Sequence, residues 1–325
     1  MERRKLIAGL AAAAACAGTV PAWSAADTWP SRTITVVNPY VVGGVVDVLG
    51  RILTDRMAAD LGATIVVDAR PGAAGTIGTE SVVRAPPDGY TWLIGTTSNA
   101  SNMALMKNLR HDVLRDLVPV AQFAVSHNYF VVPATSPAKT LAEFVALAKT
   151  QPGKLNYGNT GTGATPHLGF ELLKLKAGID VMGVPYKGMP TALQDMAGGL
   201  LSAALAPAVL AQSIAPTGKY RLLAITSSTR SKSLPDVPTF QEAGYGEAAL
   251  SPWFTLMVPA GTPQPVIDRI EESMRKAVAS PEVAARIEAA GAQAVFRSHA
   301  DTAAMVRQEV QRWRDVVKAT GIQAN

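Results

Sequence analysis

Two short stretches rich in small residues could bind an anion. The first is residues 39–47, PYVVGGVVD, and the second is residues 159–165, NTGTGAT. Small side chains let a ligand approach the backbone closely, and the first turn of a helix offers unpaired N–H groups at the positive end of its dipole. Facing each other across a cleft, the two stretches would bind an anion without a charged side chain. The residues alone leave open the alternative that the glycines only form two tight turns.

Other residue types that carry chemistry occur without the spacing that a catalytic or cofactor site needs. His167 and Glu171 are four residues apart, but two ligands do not make a metal site. Residues 161–166, GTGATP, imitate a dinucleotide fingerprint, yet Pro166 takes the place of its third glycine. The sequence also lacks a Walker A lysine and a Gly-x-Ser-x-Gly elbow. We therefore expect no metal, no cofactor and no catalytic residue.

The elements that position these stretches alternate between strand-like and helix-like patterns from Ile34 onward, which predicts an α/β fold. The predicted strands are 33–37, 63–67, 90–94, 129–132, 155–157, 183–186, 201–205, 222–225 and 254–258. A helix is expected over 46–61, where Gly62 stops it, and another over 140–150, where Thr140 and Glu143 form a capping box.

Four more helices are expected nearer the C-terminus. Thr165 is the expected N-cap of a helix that Pro166 opens and that reaches Ala177. Two later helices are expected to open at Thr262 and Ser280. Ser298 caps the last helix, whose stripe around Trp313 is expected to pack in the core.

Composition limits the class of protein. The chain has 325 residues, of which 48% are hydrophobic and 17% charged, so one large or two medium domains with sizeable cores are expected. The net charge of +5 comes without clusters of basic and aromatic residues, so a nucleic-acid partner is not expected. No flexible linker is visible, so two domains would be joined through ordered segments, for which 120–132 and 251–258 are the candidates.

The first 26 residues have the pattern of a secretory signal peptide. Basic residues open them, an apolar stretch covers 6–20, and Ser24 and Ala26 are small residues before a cleavage point at Asp27; a cut before Ala25 fits nearly as well. The apolar stretch is shorter than the ~20 residues that span a bilayer. Export by the general secretory or the twin-arginine route remains open. Lipidation on Cys16, the single cysteine, is not expected, and cleavage would leave a mature chain without cysteine.

A series of short motifs continues along the chain in a fixed order. They are PYVVGGVVDVLGR at 39–51, RPGAAGTIG at 70–78, PDGY at 87–90, PGKLNY at 152–157, GTGATPHL at 161–168, VPYKG at 184–188, LPDVPT at 234–239, AG at 243–244 and PAGTP at 259–263. In this order the chain resembles the Bug-type solute receptors of tripartite tricarboxylate transporters. The resemblance covers nearly all of residues 29–325.

The resemblance implies a type II periplasmic binding fold of two α/β domains with a ligand cleft between them. One domain would comprise residues 27–124 and 251–325, and the other residues 125–250. The implied function is a monomeric periplasmic receptor that closes on a small mono- or dicarboxylate and delivers it to membrane permease subunits. Two alternatives stay open: a sensor of the same fold that presents its closed form to a signalling partner, and an exported enzyme.

The resemblance also implies which residues meet the ligand. They are Tyr40, Val41, Val42, Gly43, Gly44, Val45 and Val46 in the first stretch; Thr96, Thr97 and Ser98; Asn159, Thr160, Gly161, Thr162, Gly163, Ala164, Thr165 and His167 in the second stretch; and Tyr186, Lys187, Gly188 and Ala206. His167 is expected to support the loop through a hydrogen bond, and Asp47 to cap a helix.

Four positions depart from the family pattern. Members usually carry proline at Val42 and polar or small residues at Val45 and Val46, so hydroxyl donors are not expected there. Many members also carry an aspartate where this chain has Ala206. Because that acid could pair with an amine, its loss argues against amino-acid ligands.

Overall fold

The computed structural model describes residues 29–161 and 163–321. The strands are β1 (Ile34–Asn38), β2 (Ile65–Ala69), β3 (Thr91–Thr96), β4 (Leu117–Ser126), β5 (Asn128–Pro133), β6 (Asn156–Asn159), β7 (Met182–Pro185), β8 (Ala203–Pro207), β9 (Tyr220–Ile225), β10 (Trp253–Pro259) and β11 (Ala292–Arg297). The helices are α1 (Val45–Leu61), α2 (Thr76–Val83), α3 (Thr97–Leu105), α4 (Val113–Asp116), α5 (Leu141–Thr150), α6 (Thr165–Ala177), α7 (Met189–Ala197), α8 (Ala208–Ile214), α9 (Gln264–Ala279), α10 (Pro281–Ala289) and α11 (His299–Thr320).

The signal peptide expected at residues 1–26 lies outside the described residues. Among the residues that are described, no helix combines the length and the apolar character that crossing a membrane requires.

The strands form two separate sheets. The first has six strands in the order β11-β4-β10-β3-β1-β2, with β1 parallel to β2 and β3 and with β10 antiparallel to β3 and β4. The second has five strands in the order β7-β6-β8-β5-β9, with β6 parallel to β7 and β8 and with β5 antiparallel to β8 and β9. The predicted α/β class is confirmed.

The chain passes between the sheets twice. His127 alone separates the end of β4 in the first sheet from the start of β5 in the second, and the chain returns to the first sheet at β10. The helices do not separate into one group for each sheet, because α11 packs on α3 and β4 and also contacts α6. The domain boundaries expected from the sequence therefore stay predictions.

Strong local signals place several helices where the sequence predicts them. α1 ends at Gly62, which adopts a left-handed φ of 62° that side chains disfavour. At the start of α5, the Glu143 N–H donates to Thr140 Oγ1 over 3.1 Å. At the start of α11, Ser298 Oγ accepts from the Asp301 N–H, and Trp313 on that helix is fully buried.

Other elements differ from the predicted ones. α6 begins at Thr165 rather than Pro166, because the Leu168 N–H bonds to the Ala164 carbonyl over 2.9 Å and makes Ala164 the N-cap. The glycine-rich motif at 70–78, which has the composition of a loop, contains a short 3₁₀ turn and the start of α2. The sequence patterns do not predict α3, α7, α8 or β11, each of which has nine residues or fewer.

Candidate functional site

A cavity of about 390 Å³ lies between the two sheets. Its walls come from elements of both: Tyr40, Val45, Val46, Thr96, Thr97, Ser98, Ser126, Asn128, Thr160, Ala164, Thr165, Pro166, Met189, Pro207, Val209, Leu210, Pro252, Phe254, Ala290 and Gly291. None of these side chains is an Asp, Glu, Lys, Arg or His. The volume is in the range typical of pockets for small molecules.

Five helices begin at this cavity. The first-turn residues Val45 of α1, Ser98 of α3, Thr165 of α6, Met189 of α7 and Val209 of α8 all line it. Unpaired N–H groups at a helix start carry partial positive charge, so the starts of α1, α3, α6 and α7 favour an anion, whereas at α8 the Ala208 N–H already donates to the His127 carbonyl. Sequence reasoning identified the starts of α1 and α6 and missed the other three.

The loop before α1 uses several of its N–H groups internally. The Tyr40 N–H donates to Asn38 Oδ1 over 3.0 Å, and the Gly44 N–H donates to the Val41 carbonyl over 3.3 Å. The Gly43 N–H donates to Asp47 Oδ2 over 3.0 Å. This stretch therefore offers a ligand fewer backbone donors than the sequence suggests. The N–H groups of Val45 and Val46 keep no partner in the described part of the chain.

Asp47 fixes the shape of that loop. It is 3% exposed, and its carboxylate also accepts from the Asn38 amide over 3.1 Å and from Arg51 Nε over 3.0 Å. Burial opposes its ionisation, but the hydrogen bonds from Arg51, from the Gly43 N–H and from Asn38 outweigh burial and lower the pKa of Asp47. Asp47 does not line the cavity, so its carboxylate stabilises the loop and does not contact a ligand there.

The start of α3 forms a second polar wall. Tyr40 and Thr96 share a hydrogen bond of 3.2 Å between their hydroxyls, and Thr97 Oγ1 accepts from the Trp253 N–H over 3.2 Å. The Thr96 N–H donates to Asn99 Oδ1 over 2.8 Å. Ser98 also lines the cavity, and within the described residues its hydroxyl has no protein partner, so it is a free donor.

The glycine- and threonine-rich loop before α6 forms the facing wall. The Gly161 N–H donates to Asn159 Oδ1 over 2.9 Å, and the Ala164 N–H donates to the Gly161 carbonyl over 3.1 Å. These bonds hold Gly161 and Gly163 at φ values of 109° and 82°, which favour glycine. Thr160 and Thr165 line the cavity, and their hydroxyls have no hydrogen-bond partner in ranges 29–161 and 163–321. Thr162 lies outside the described residues.

His167 lies behind the same loop. The Gly163 N–H donates to His167 Nδ1 over 3.4 Å, and His167 does not line the cavity. Burial lowers the pKa of His167, which favours the neutral imidazole that can accept this bond. The interaction supports the loop before α6.

Some residues expected at the site line the cavity and others lie behind it. The lining includes Tyr40, Val45, Val46, Thr96, Thr97, Ser98, Thr160, Ala164 and Thr165. It does not include Val41, Val42, Gly43, Gly44, Asn159, Gly161, Gly163, His167, Tyr186, Lys187, Gly188 or Ala206. Among these, Tyr186 donates to Asp195 over 2.8 Å, Lys187 is exposed, and Ala206 is fully buried in β8.

Sequence reasoning missed the wall formed where the chain crosses between the sheets. Ser126, Asn128, Pro252 and Phe254 come from the two crossings and meet at the cavity. Asn128 is 3% exposed, and its Nδ2 has no hydrogen-bond partner in the part of the chain that the structure describes. Because an unpaired buried amide is costly, a ligand oxygen would be a favourable partner for it.

The described residues contain no group of three or more His, Cys, Asp or Glu side chains placed to hold a metal ion. The residues that line the cavity combine neutral donors with apolar walls. This arrangement can hold an anionic group through N–H and hydroxyl donors.

Comparison with known proteins relates this geometry to a family. The family model described as tripartite tricarboxylate transporter family receptor matches residues 49–322. Protein BugT of Bordetella pertussis is 35% identical over 325 residues, which cover 99% of each chain.

Two solved structures are similar along nearly their whole length. Rpa4515 of R. palustris with adipate is 31% identical with a TM-score of 0.78, and the match covers 91% of this chain and 100% of that one. MatC of Rhodopseudomonas palustris with bound malate is 31% identical with a TM-score of 0.75, and the match covers 89% of this chain and 100% of that one. Periplasmic binding proteins are among the matched structures, which confirms the two-domain periplasmic binding fold.

Proposed function

The chain belongs to the tripartite tricarboxylate transporter receptor family, and we propose that it captures a small organic carboxylate in the cavity between its sheets and delivers it to membrane permease subunits. The observation that carries the proposal is the convergence of four helix starts, those of α1, α3, α6 and α7, on a cavity lined by no ionised side chain. The adipate and malate in the similar structures are carboxylates of the proposed class. As a family receptor, the chain would act in the periplasm after export.

The donors on the two facing walls are sufficient for useful affinity. A hydrogen bond to a charged acceptor contributes about 1.5–3 kcal/mol, and a helix start adds up to about 1 kcal/mol. Free donors include the hydroxyls of Ser98, Thr160 and Thr165. Micromolar binding corresponds to a net free energy of about 8 kcal/mol. A few such bonds reach this value after the entropy cost of ordering the ligand and the side chains is subtracted.

The proposed ligand carries no amino group. The cavity lining contains no carboxylate that could pair with an amine. A protonated amine would lose its hydration beside several helix starts without a counter-charge, which is unfavourable.

The proposed capture involves closure of the two sheets around the ligand. The single residue His127 joins β4 to β5, so a small rotation there would change the gap between the walls. Because the ligand would contact both walls only in the closed form, it would shift the population towards closure. Solution scattering should then give a smaller radius of gyration with ligand than without it. An unchanged radius at saturation would contradict closure on binding, because a change of population must change the mean shape.

Thermal-shift screening with a panel of organic acids tests the proposed ligand class. A ligand that binds only the folded chain raises its apparent stability by mass action. We expect at least one carboxylate to raise the melting temperature, and to be recovered chemically unchanged after incubation, as a receptor requires and an enzyme would not allow. A panel of carboxylates without effect, alongside amines or sugars that do stabilise the chain, would contradict the proposal.

Delivery to a permease needs a separate test. The liganded receptor should bind purified permease subunits of its transporter more tightly than the ligand-free receptor. Binding of the liganded form to a signalling protein instead would assign it to the alternative role of a sensor.

A further inference from the structure

One side of the cavity is apolar and comes from parts of the chain that are distant in sequence. Met189 at the start of α7 and Phe254 on β10 are buried there, and Pro252 lies beside them. Val209 and Leu210 of α8 complete this apolar wall, and Val209 is 46% exposed. An exposed valine over a pocket is unfavourable in water, so this surface gains free energy when an apolar group covers it.

The apolar wall offers a second charged group no cation, and the unpaired Asn128 amide, where the chain crosses between the sheets, is neutral and 3% exposed. The Ala208 N–H at the start of α8 donates to the His127 carbonyl over 3.0 Å, so this donor is already used. No Lys, Arg or His side chain lines any part of the cavity. A carboxylate placed against Val209, Leu210 and Phe254 would lose its hydration without a cation to replace it, which is costly.

The lip of the cavity on the first sheet is apolar as well. Val45 lines the cavity and is exposed, and Val42, three residues earlier in the loop before α1, is exposed too. Neither valine has a hydroxyl to offer a polar ligand. Apolar surface thus borders the cavity both at α1 and at α8, while the free hydroxyls are confined to Ser98, Thr160 and Thr165.

We infer that the ligand is a monocarboxylate with an uncharged apolar body. Its carboxylate binds at the starts of α3 and α6, and its body lies on the wall formed by Met189, Val209, Leu210, Pro252 and Phe254. This inference rests on the proposed function and narrows its ligand class.

Calorimetric titration of the full mature chain with butyrate, hexanoate and adipate tests the inference. Each methylene that moves from water onto the apolar wall should tighten binding about three- to fourfold, so hexanoate should bind about tenfold more tightly than butyrate. Adipate has the same number of carbons as hexanoate but a second carboxylate in place of the terminal methyl. It should bind at least tenfold more weakly than hexanoate.

A matched pair of variants locates the apolar contact. Val209→Thr exchanges a methyl for a hydroxyl at nearly constant size and should weaken hexanoate binding about fourfold, with less effect on butyrate. Val66→Thr is the control, because Val66 is 48% exposed on β2 and lies outside the cavity lining. It should leave hexanoate affinity unchanged.

The outcomes separate this inference from the proposed function. Adipate binding as tightly as hexanoate, or equal hexanoate affinity in the Val209→Thr variant and the parent, would overturn the apolar-body ligand and leave carboxylate capture standing. Failure of every carboxylate, including a wider panel of hydroxy acids and dicarboxylates, would overturn both.

Discussion

Replacing Thr165 by valine should weaken carboxylate binding without unfolding the chain. Thr165 is the first residue of α6, its hydroxyl lines the cavity, and the structure gives that hydroxyl no protein partner within 29–161 and 163–321. Thr165→Val therefore removes one donor at nearly constant volume and leaves no protein acceptor unsatisfied.

The expected loss follows from the charge of the acceptor. A hydrogen bond to a carboxylate contributes about 1.5–3 kcal/mol, so the dissociation constant should rise about 10- to 150-fold. Thermal stability should change by less than about 0.5 kcal/mol, since no buried contact is lost. Calorimetric titration with the tightest acid of the screened panel, together with thermal unfolding monitored by circular dichroism, measures both quantities.

Two further variants make the result interpretable. Thr165→Ser keeps the hydroxyl and should bind within a few-fold of the parent. Lys187→Ala removes an exposed cation that does not line the cavity, and it should leave affinity unchanged. If Thr165→Val bound like the parent while Lys187→Ala abolished binding, a side-chain cation would hold the ligand and the placement of the site at α6 would be refuted.

Three other predictions concern the loop before α1, pH and export. Asp47→Ala should destabilise the chain by about 1–3 kcal/mol in chemical denaturation, because the Gly43 N–H and the Asn38 amide lose their acceptor; unchanged stability would contradict the role given to Asp47. Burial lowers the pKa values of His127 and His167 below 6.5, so the unfolded chain takes up protons first and the melting temperature should fall as pH drops from about 7.5 to 5.5; the slope should be smaller in His127→Gln, and a flat profile would refute this. N-terminal sequencing of the exported chain should begin near Asp27, and an intact N-terminus or lipid on Cys16 would contradict cleavage.

The sequence predicts those elements whose signals are local and strong. Gly62 marks the end of α1, and Thr140 and Ser298 mark the starts of α5 and α11, because a cap acts on its own helix. α3 is missed because its sequence, TSNASNMAL, has no apolar stripe at helical spacing. Its start nevertheless forms one wall of the cavity.

The remaining site residues depend on topology and on competition for donors. Asn128 and Phe254 are far apart in sequence and meet because both crossings between the sheets pass the cavity. Near α1 the sequence shows glycines before a helix, but not that Asn38 and Asp47 accept two of the N–H groups. A local motif identifies possible donors, and only the folded chain shows which of them are free.

The central claim is that neutral donors in the cavity recognise a carboxylate. The most direct test is a calorimetric titration of the mature chain with its tightest acid from the panel and, in parallel, with the primary amide of the same acid. The amide keeps the shape and one carbonyl oxygen but removes the negative charge and replaces an acceptor with a donor. Micromolar or tighter binding of the acid, with binding of the amide weakened at least a hundredfold, is the predicted result; equal affinity for acid and amide would contradict the account.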